Sequence, residues 1–554
     1  MVKSFSRVRT KLTSMNRERV MKTRILITLL LLLGTSATLV LGGDPPAELK
    51  YAKRATRAET RKATLDAHEN PGERINALLD YQLDGDFPKN PEDKYYRIVT
   101  LPLPEGVQFE PGGIEFDEKG RIFVSTRIGD IWMIENALEL PPYRSEYSLY
   151  ASGLHEVLGL ARKGDWLYAT QRGELTRIKD VDGDDRGDLF EVVSDGWEIG
   201  GDYHEYAFGS KFDDDGYLWV VLCLTGSFSS QHLFRGWSVK VSADGKMVPM
   251  CSGIRSPGGI GRNDAGDLFY TDNQGTWNGT SILRHLKPQH FMGNPEGNRW
   301  YAQAPNMGKQ PPRPKSGGRW HTEMKKIPEL INPAVFFPHN KMGKSASGIC
   351  TDRSRGKFGP FDKQMFVSDQ GQSIVMRIFL EKIKGRYQGG CCPFKGGFKS
   401  GNVPMTQIPD GSMFIGGTAR GWGARGGKPF ALERLVWTGE VPFEIHEMRV
   451  RPKGFELTFT KPVDQETVAA LESYTIQTYT YIYQSNYGSP EVDRTTPKIL
   501  SATPGKDGKS VYLEIEGMQE GHIHELKVPG IKSKEGEGIL HPVAYYTLFY
   551  FPDS

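Results

Sequence analysis

The sequence predicts an all-β protein, a six-bladed β-propeller followed by an immunoglobulin-like β-sandwich. The 554-residue chain contains 64 glycines and 35 prolines, a composition typical of many short strands joined by turns. A motif of strand, turn and second strand recurs six times in the middle of the chain. Short strands with alternating apolar and polar residues then fill the last part of the sequence. A chain of this length divides into two or three domains.

Residues 1–43 are predicted to be a signal peptide or an N-terminal anchor. Basic residues precede an apolar stretch from Ile25 to Leu41, and small residues follow before Asp44. Met21, just before the apolar stretch, is an alternative start. The stretch is about long enough to span a bilayer if it is not cleaved. We therefore expect a periplasmic, secreted or cell-surface protein that touches a membrane only through an uncleaved leader.

The charge balance argues against a nucleic-acid partner. The leader carries eight Lys or Arg and one acidic residue, a net charge of +7, whereas the whole chain has a net charge of +3. The rest of the chain is therefore left at about −4, which gives no basic surface for nucleic acid.

The five cysteines are too few for a disulfide scaffold, and the absence of a CxxCH motif excludes a covalently attached haem. Cys391 and Cys392 are adjacent, a spacing at which direct pairing is strained. We interpret them as structural, each with a distant partner, rather than as redox-active.

A charged linker precedes the repeats. Residues 44–94 are rich in charged helix formers and are predicted to be a helical linker without chemistry of its own.

Residues 95–440 are predicted to form the propeller. In each repeat a Gly or Pro-Gly segment leads into an apolar strand, a turn and a second strand, and the second strands are anchored at Ile122, Leu167, Leu218, Leu268, Met365 and Met413. Four of the five spacings lie between 45 and 51 residues, the length of one four-stranded blade.

The remaining spacing, 97 residues, contains a stretch rich in Pro, Gly and Lys after Met292. It lacks strand patterns and is predicted to be a surface insertion, with a seventh blade as the alternative. The segment from Tyr96 is a suitable outer strand to close the ring, which would then have no exposed edge.

Residues 441–554 are predicted to form the sandwich. They have the size and the alternating strands of an immunoglobulin-like domain. The domain is either a spacer or a module that binds a sugar or the cell surface.

The strongest local motif is an acidic loop that runs from Asp180 to Glu191. Calcium prefers closely spaced carboxylate oxygens on a Gly-bearing turn. The predicted ligands are Asp180, Asp182, Asp184, Asp188 and Glu191. Asp185 stands where an EF-hand requires Gly, so a propeller-type calcium loop fits better, and a solvated hairpin tip is the alternative.

A second constellation is His204 and Glu205, which directly precede the first strand of the third repeat and so face the central mouth of a propeller. Imidazole is suited to act as a general base, and a neighbouring carboxylate can tune it. His155 and Glu156 are predicted to line the same pocket and bind substrate, or else to satisfy backbone groups of a loop. Trp277 is predicted to stack on a sugar, with a place in the core as the alternative.

The order of these motifs resembles that of the sorbosone and soluble glucose dehydrogenase-like propellers, in particular the planctomycete-type membrane-bound dehydrogenases. The matching segments span about residues 95–440 and are LHEVLGL, YHEYAFG, DNQG, MGNPEG and GWG. The resemblance implies that His204 takes the proton of a substrate hydroxyl while hydride passes to pyrroloquinoline quinone. It also implies that Arg255 contacts the acidic cofactor, with Asp272 and Asn273 beside it.

The chain departs from the family at two places. Where the family has a Lys in the fifth blade, this chain has Ser368, Asp369 and Gln370, and where it has an Arg-x-Arg pair leading into the sixth, this chain has SGNVPMTQ. A quinone with three carboxylates needs several cations around it. On the sequence alone, much of the quinone site is therefore missing.

Two functions follow. The first is an exported dehydrogenase that oxidises a sugar or polyol and passes electrons to an external acceptor such as a cytochrome. The second is a non-catalytic propeller that binds a glycan or a protein at the cell surface. A propeller hydrolase or lyase is a further alternative.

Overall fold

The computed structural model describes residues 90–140, 142, 144–421 and 423–553. They all belong to one unit of the chain, Arg54–Ser554. The predicted leader and nearly all of the predicted linker lie outside the described residues. The all-β prediction is confirmed, since strands dominate and the few helices are short. None of the helices in the described part of the chain has the length and apolar character needed to cross a membrane.

Six sheets follow one another along the chain, and each is built around four antiparallel strands. After a 3-10 helix (Pro91–Lys94), strand β1 (Tyr96–Thr100) precedes all six. Sheet 1 consists of β2 (Pro111–Phe116), β3 (Ile122–Thr126), β4 (Ile131–Glu135) and β5 (Glu146–Ala151). Sheet 2 consists of β6 (Leu160–Lys163), β7 (Trp166–Thr170), β8 (Leu175–Lys179) and β9 (Leu189–Ser194).

The long insertion lies within sheet 4, between its third and fourth strands, and also pairs with sheet 3. Sheet 3 consists of β10 (Ala207–Phe212), β11 (Leu218–Leu222), β12 (Trp237–Val241) and β13 (Met247–Ser252). Sheet 4 consists of β14 (Pro257–Arg262), β15 (Leu268–Asp272), β16 (Ser281–His285) and, after the insertion, β18 (Val335–Phe337). Within the insertion, β17 (His290–Phe291) pairs parallel with β13. Two 3-10 helices (Pro295–Gln303 and Pro305–Met307) and helix α1 (Trp320–Met324) follow. The insertion adds no separate sheet to the described structure.

The last two sheets involve distant parts of the chain. Sheet 5 starts with β19 (Ala346–Thr351), β20 (Met365–Asp369), β21 (Ile374–Ile383) and β22 (Arg386–Lys395). Sheet 6 consists of β23 (Asn402–Gln407), β24 (Met413–Thr418), β25 (Phe430–Trp437) and β1. Strand β1 pairs antiparallel with β25, with Ile98 opposite Leu435, so the N-terminal strand covers the outer edge of the last sheet.

The six sheets form a closed ring. Their first strands, β2, β6, β10, β14, β19 and β23, contact one another in that order, and β23 contacts β2 again. Glycine at the start of these strands permits the backbones of neighbouring sheets to approach one another closely. A Cβ added to Gly112 would lie 2.1 Å from the carbonyl oxygen of Val157, and one added to Gly258 would lie 2.2 Å from that of Ala346.

Hydrophobic clusters fill the spaces between neighbouring sheets. One cluster joins Phe123 and Ile131 of sheet 1 to Leu167 of sheet 2, and another joins Ile122 of sheet 1 to Phe414 of sheet 6. Burial of one such side chain contributes about 1.5–3 kcal/mol. The apolar residues that recur in the sequence therefore hold each sheet to the next.

The C-terminal region forms two more layers of strands. Sheet 7 consists of β26 (Ile445–Arg451), β27 (Gly454–Phe459), β30 (Lys498–Pro504) and β31 (Ser510–Glu516). Facing it are β28 (Thr475–Tyr481), β29 (Glu491–Thr495), β32 (His522–Lys527) and β33 (Val543–Leu548). Helix α2 (Gln465–Ala469) and a 3-10 helix (Leu471–Ser473) follow β27. An apolar cluster including Leu457 and Tyr546 lies between the layers.

This region is continuous with the ring. Strand β33 pairs with β22, with Gly390 opposite Tyr546, so one layer of the C-terminal region extends sheet 5. Strands β21 and β22 have ten residues each, which is longer than the other strands of the ring, and Gly389 to Cys391 of β22 provide this pairing. The two parts of the chain are therefore joined by a shared sheet and not by a linker alone.

The five cysteines are all free thiols. The prediction that Cys391 and Cys392 have distant partners is wrong. As neighbours on β22 they point to opposite faces, one into the cluster between sheets 4 and 5 and the other into the core of the C-terminal layers. Burial raises the pKa of the Cys392 thiol to about 12, which keeps it protonated and unreactive.

Candidate functional site at the centre of the ring

A cavity of about 360 Å³ lies at one end of the ring. Because the first and second strands of each sheet are antiparallel, the start of the first and the end of the second meet at the same end. All six sheets contribute to the lining. In sheet order they contribute Arg127, Leu158, His204, Arg255, Lys344 and Arg420, and the C-terminal region adds Tyr487.

His204 lines the cavity from the loop before β10. Asp202 holds the loop by accepting the backbone N–H groups of His204 and Gly226 through Oδ1, both at 2.8 Å. The imidazole packs edge-on against Tyr203, with ring centres 5.1 Å apart, and its nitrogens have no hydrogen-bond partner among the described residues. Burial lowers the pKa of His204, and the positive charge of Arg255 lowers it further against the opposing effect of Asp202. The imidazole is therefore neutral near pH 7 and has a free acceptor nitrogen.

Glu205 does not face the cavity. Its carboxylate is fully buried and accepts hydrogen bonds from the Gly200 N–H at 2.6 Å, the Thr225 hydroxyl at 2.7 Å and His232 Nδ1 at 2.6 Å. Burial acts to raise the pKa of Glu205, but these hydrogen bonds and the nearby Arg235 outweigh it and lower the pKa. Glu205, expected to be catalytic, instead ties the His204 loop to the loop after β11.

Arg255 lines the cavity from the segment before β14. Its guanidinium is 4% exposed, donates from Nη1 to the carbonyl of Gln274 at 2.8 Å and has no partner at Nε in the described structure. The guanidinium carbon lies 5.9 Å from the ring centre of Phe228 and 5.2 Å from that of Tyr487. The guanidinium therefore keeps donor capacity that no residue of the described structure uses.

The two residues predicted beside Arg255 have different positions. Asp272 is fully buried and does not line the cavity, because its carboxylate accepts the backbone N–H groups of Arg255 at 3.0 Å and Ser256 at 2.7 Å. It positions Arg255 rather than contacting a ligand. Asn273 does line the cavity, and its Oδ1 is buried without a partner in the described residues.

Three further cations reach the cavity that the sequence reasoning missed. Arg127 follows β3, Lys344 precedes β19 and Arg420 follows β24. The sequence contains a positional signal for residues of this kind. Arg127 and Asn273 both stand five residues after the second-strand anchor of their repeat. Arg255 and Lys344 both stand two residues before a first strand. Lys344 thus reaches the cavity from the segment before the first strand of sheet 5.

The cations of the cavity differ in whether a carboxylate neutralises their charge. Arg127 pairs with Glu156 at 2.5 Å, and Arg420 pairs with Glu110 at 2.5 Å. Burial opposes the charge of Arg127, but Glu156 raises its pKa. Arg255 and Lys344 form no ion pair with a carboxylate among the described residues. The lining therefore carries an excess of positive charge and favours an anionic ligand.

The predicted substrate residues of sheets 2 and 4 do not line the cavity. His155 is exposed outside it. Glu156 is buried and pairs with Arg127 and, at 3.4 Å, with Arg172. Trp277 is 2% exposed and packs against Tyr483 of the C-terminal region, with ring centres 5.0 Å apart. A second histidine, His339, does line the cavity and was not predicted.

The acidic loop brings together only part of its predicted ligand set. Carboxylate oxygens of Asp180, Asp182 and Asp188 lie within 4.8 Å of one another. Asp184 lies outside this group, and Glu191 is paired with Arg177 at 2.5 Å. Asp184 and Glu191 were predicted as ligands because of their spacing. Strand pairing instead directs Glu191 to its cross-strand neighbour on β8, Arg177.

Comparison with known proteins found no matching protein-family model and no matching curated protein. Among solved structures, similarity extends to an oxidoreductase (glucose dehydrogenase) from Thermus thermophilus, at 18% identity and a TM-score of 0.45 over 62% of this chain and 100% of that one. An aldose sugar dehydrogenase from Streptomyces coelicolor in its PQQ-bound form is similar at 15% identity and a TM-score of 0.43, over 62% and 98%. A virginiamycin B lyase from Staphylococcus aureus is similar at 12% identity and a TM-score of 0.32, over 62% and 98%. Since likenesses of this extent do not carry over chemistry, the function is argued from the cavity itself.

Proposed function

We propose that the ring is a six-bladed β-propeller and the C-terminal region an immunoglobulin-like sandwich, in a chain exported to the periplasm or cell surface. The closed ring of six first strands and the pairing of β1 with β25 support the propeller, and the two facing layers of strands support the sandwich. The motif order of the sequence supports placement among the planctomycete-type, sorbosone and glucose dehydrogenase-like propellers.

We propose further that the protein is a sugar or polyol dehydrogenase. One observation carries this proposal. A neutral imidazole with free nitrogens, His204, shares a cavity with Arg255 and Lys344, two cations without carboxylate partners among the described residues. A base of lowered pKa beside excess positive charge is suited to removing a proton from a hydroxyl next to an anionic acceptor.

The cavity fits pyrroloquinoline quinone. Its volume of about 360 Å³ lies within the range of about 300–1,000 Å³ that holds small molecules. The positive charges of Arg255 and Lys344 are suited to carboxylates. Arg127 and Arg420 add donors from sheets 1 and 6. The cations missing from the family positions are thus replaced by others that only the fold brings together.

In this mechanism the residues of the chain bind the quinone and the substrate and remove the proton of the substrate hydroxyl. A bound quinone would supply the acceptor for the hydride that leaves the substrate carbon. A ring nitrogen of His204 takes the hydroxyl proton as the C–H bond breaks, which leaves a carbonyl product and an imidazolium. Asp202 and Glu205 hold the His204 loop in place, and Asp272 holds Arg255. An external acceptor would take up the two electrons.

The test uses the full chain loaded with quinone and calcium, with dye reduction measured over a panel of aldoses and polyols. His204→Ala is expected to lose turnover by about 10²–10⁴-fold and to keep quinone absorbance. Arg255→Met is expected to lose the quinone itself. His155→Ala, an exposed histidine outside the cavity, is the matched control and should retain wild-type activity. If His339→Ala abolishes turnover and His204→Ala does not, the assignment of the base is wrong.

A non-catalytic glycan-binding propeller is the second candidate, favoured by the exposed aromatic rings of Phe228 and Tyr487 at the cavity. Wild-type protein that binds no quinone, together with glycan binding that survives His204→Ala, would select it over the dehydrogenase.

We also propose that Asp180, Asp182 and Asp188 hold a calcium ion, because they converge carboxylate oxygens of the type calcium prefers. Since this loop joins β8 to β9 and none of its carboxylates lines the cavity, the ion would brace the hairpin and take no part in the reaction.

A further inference from the structure

Two exposed aromatic rings flank Arg255 at the cavity. Phe228 is 55% exposed and Tyr487 is 56% exposed, whereas Arg255 between them is 4% exposed. Both rings line the cavity and lie within 6 Å of the guanidinium. The rings therefore stand on the solvent side of Arg255 and form a rim around the entrance.

Tyr487 belongs to the C-terminal region and is held in place by backbone pairing. It lies in the loop between β28 and β29, where it forms an antiparallel bridge with Thr276. The Gly488 N–H donates to the carbonyl of Gly275 at 3.0 Å, and the Trp277 N–H donates to the carbonyl of Gln484 at 2.7 Å. The C-terminal region thus contributes a fixed side chain to the site.

Phe228 is held by a tight turn after β11. Its N–H donates to the carbonyl of Thr225 at 3.1 Å, and Ser227 before it has a φ of 62°. The same turn is anchored by the bond from the Gly226 N–H to Asp202, the residue that also holds the His204 loop. The aromatic rim and the candidate base therefore share one support.

The rim combines apolar faces with a hydrogen-bond donor. Aromatic faces pack on the C–H surface of a sugar ring, and a neighbouring guanidinium, which has five N–H groups, can donate to the sugar oxygens from a nitrogen that a quinone carboxylate leaves free. A phosphate or a simple carboxylate would use Arg255 but leave the two rings unused, and an aliphatic chain would use the rings but not the donor. A pyranose unit uses both.

We propose that Phe228 and Tyr487 form a carbohydrate subsite outside the reacting position, so that the preferred ligand is an oligosaccharide and not a free monosaccharide. This inference rests on the proposed function for the reacting unit. It assigns Tyr487, and through it the C-terminal region, a role in substrate specificity.

The experiment measures affinity and turnover separately. Isothermal titration of the quinone-loaded full chain is carried out with glucose and with linear glucose oligomers of two to four units, in both α-1,4 and β-1,4 linkage. Dye reduction is measured on the same series. Wild type is expected to bind one of the oligomer series about tenfold more tightly than glucose. Tyr487→Ala and Phe228→Ala should each reduce that ratio toward one by weakening the binding of the oligomer.

Controls separate this subsite from loss of structure and from failure of the enzyme assignment. Phe190→Ala, which removes an exposed ring on β9 outside the cavity, should keep the wild-type ratio, and Tyr487→Phe should retain most of it. An oligomer-to-glucose ratio near one in wild type, or a ratio unchanged in Tyr487→Ala, overturns the subsite. Absence of dye reduction with every sugar overturns the dehydrogenase proposal alone, because the binding ratio does not depend on turnover.

Discussion

Glu205→Gln is the perturbation that best separates a positioning residue from a catalytic one. The wild-type carboxylate accepts three hydrogen bonds in a fully buried position, from Gly200, Thr225 and His232. The amide has one acceptor oxygen, so its NH₂ group must face either the Gly200 N–H, which cannot accept, or Thr225 and His232, which must then change from donors to acceptors. Arg235, which is also fully buried, loses its nearest opposite charge.

The expected cost is about 1–4 kcal/mol in the free energy of unfolding. A buried donor left unsatisfied costs about 1–3 kcal/mol, and replacing hydrogen bonds to a charged acceptor by neutral ones removes about 1 kcal/mol more. Since the folded-state pKa of Glu205 is lowered from its ordinary value of 4.5, its stabilisation is present above pH 4.5 and is lost as the pH falls through the folded-state pKa. The difference between wild type and variant should therefore shrink in acid.

The assay is urea unfolding followed by tryptophan fluorescence at pH 7 and at pH 4. Glu198→Gln is the matched control, because its exposed carboxylate also accepts one backbone N–H, that of Leu233 at 3.0 Å. This control should stay within about 0.5 kcal/mol of wild type. A Glu205→Gln variant as stable as the control, or one whose defect grows in acid, would refute the reasoning.

Three more predictions follow from the same structure. Gly258→Ala should destabilise the ring by several kcal/mol in the same unfolding assay, since its Cβ would meet a backbone oxygen at 2.2 Å, whereas Gly538→Ala, with no atom within 4 Å, should be tolerated. Because burial lowers the pKa of His204 and the base must be neutral, kcat/KM should be flat at neutral pH and fall only below pH 6.5; a fall beginning above pH 7 contradicts this. Asp182→Asn should abolish the rise in Tm on adding Ca²⁺, and Asp184→Asn should retain it; equal effects would exclude the three-carboxylate site.

The repeats of the ring were predictable from the sequence because they are local. All six predicted anchors, from Ile122 to Met413, lie in the second strand of their sheets. The strand from Tyr96 pairs at the far end of the ring, as its apolar pattern and position indicate. Alternation of side chains and turn-forming residues is encoded over a few neighbours, so one sequence suffices to recognise it.

The site was predictable only where one repeat carries the signal. His204 and Arg255 line the cavity because each stands directly before a first strand. Glu205, adjacent to His204, was misassigned because neighbouring residues face in different directions and its buried partners lie 20 and 27 residues away. Trp277 was misassigned because its partner, Tyr483, belongs to the C-terminal region.

By itself, the sequence determined the strands, their repeat and the residues at the start of each repeat, since these depend on periodicity and turn chemistry. Only the tertiary structure decided which charges meet. Ring closure brings Arg127, Lys344 and Arg420 to one cavity from sheets 1, 5 and 6. Pairing of β22 with β33 extends the ring into the C-terminal region, and Tyr487 of that region reaches the entrance of the same cavity. These contacts join residues separated by hundreds of positions, and no local pattern encodes them.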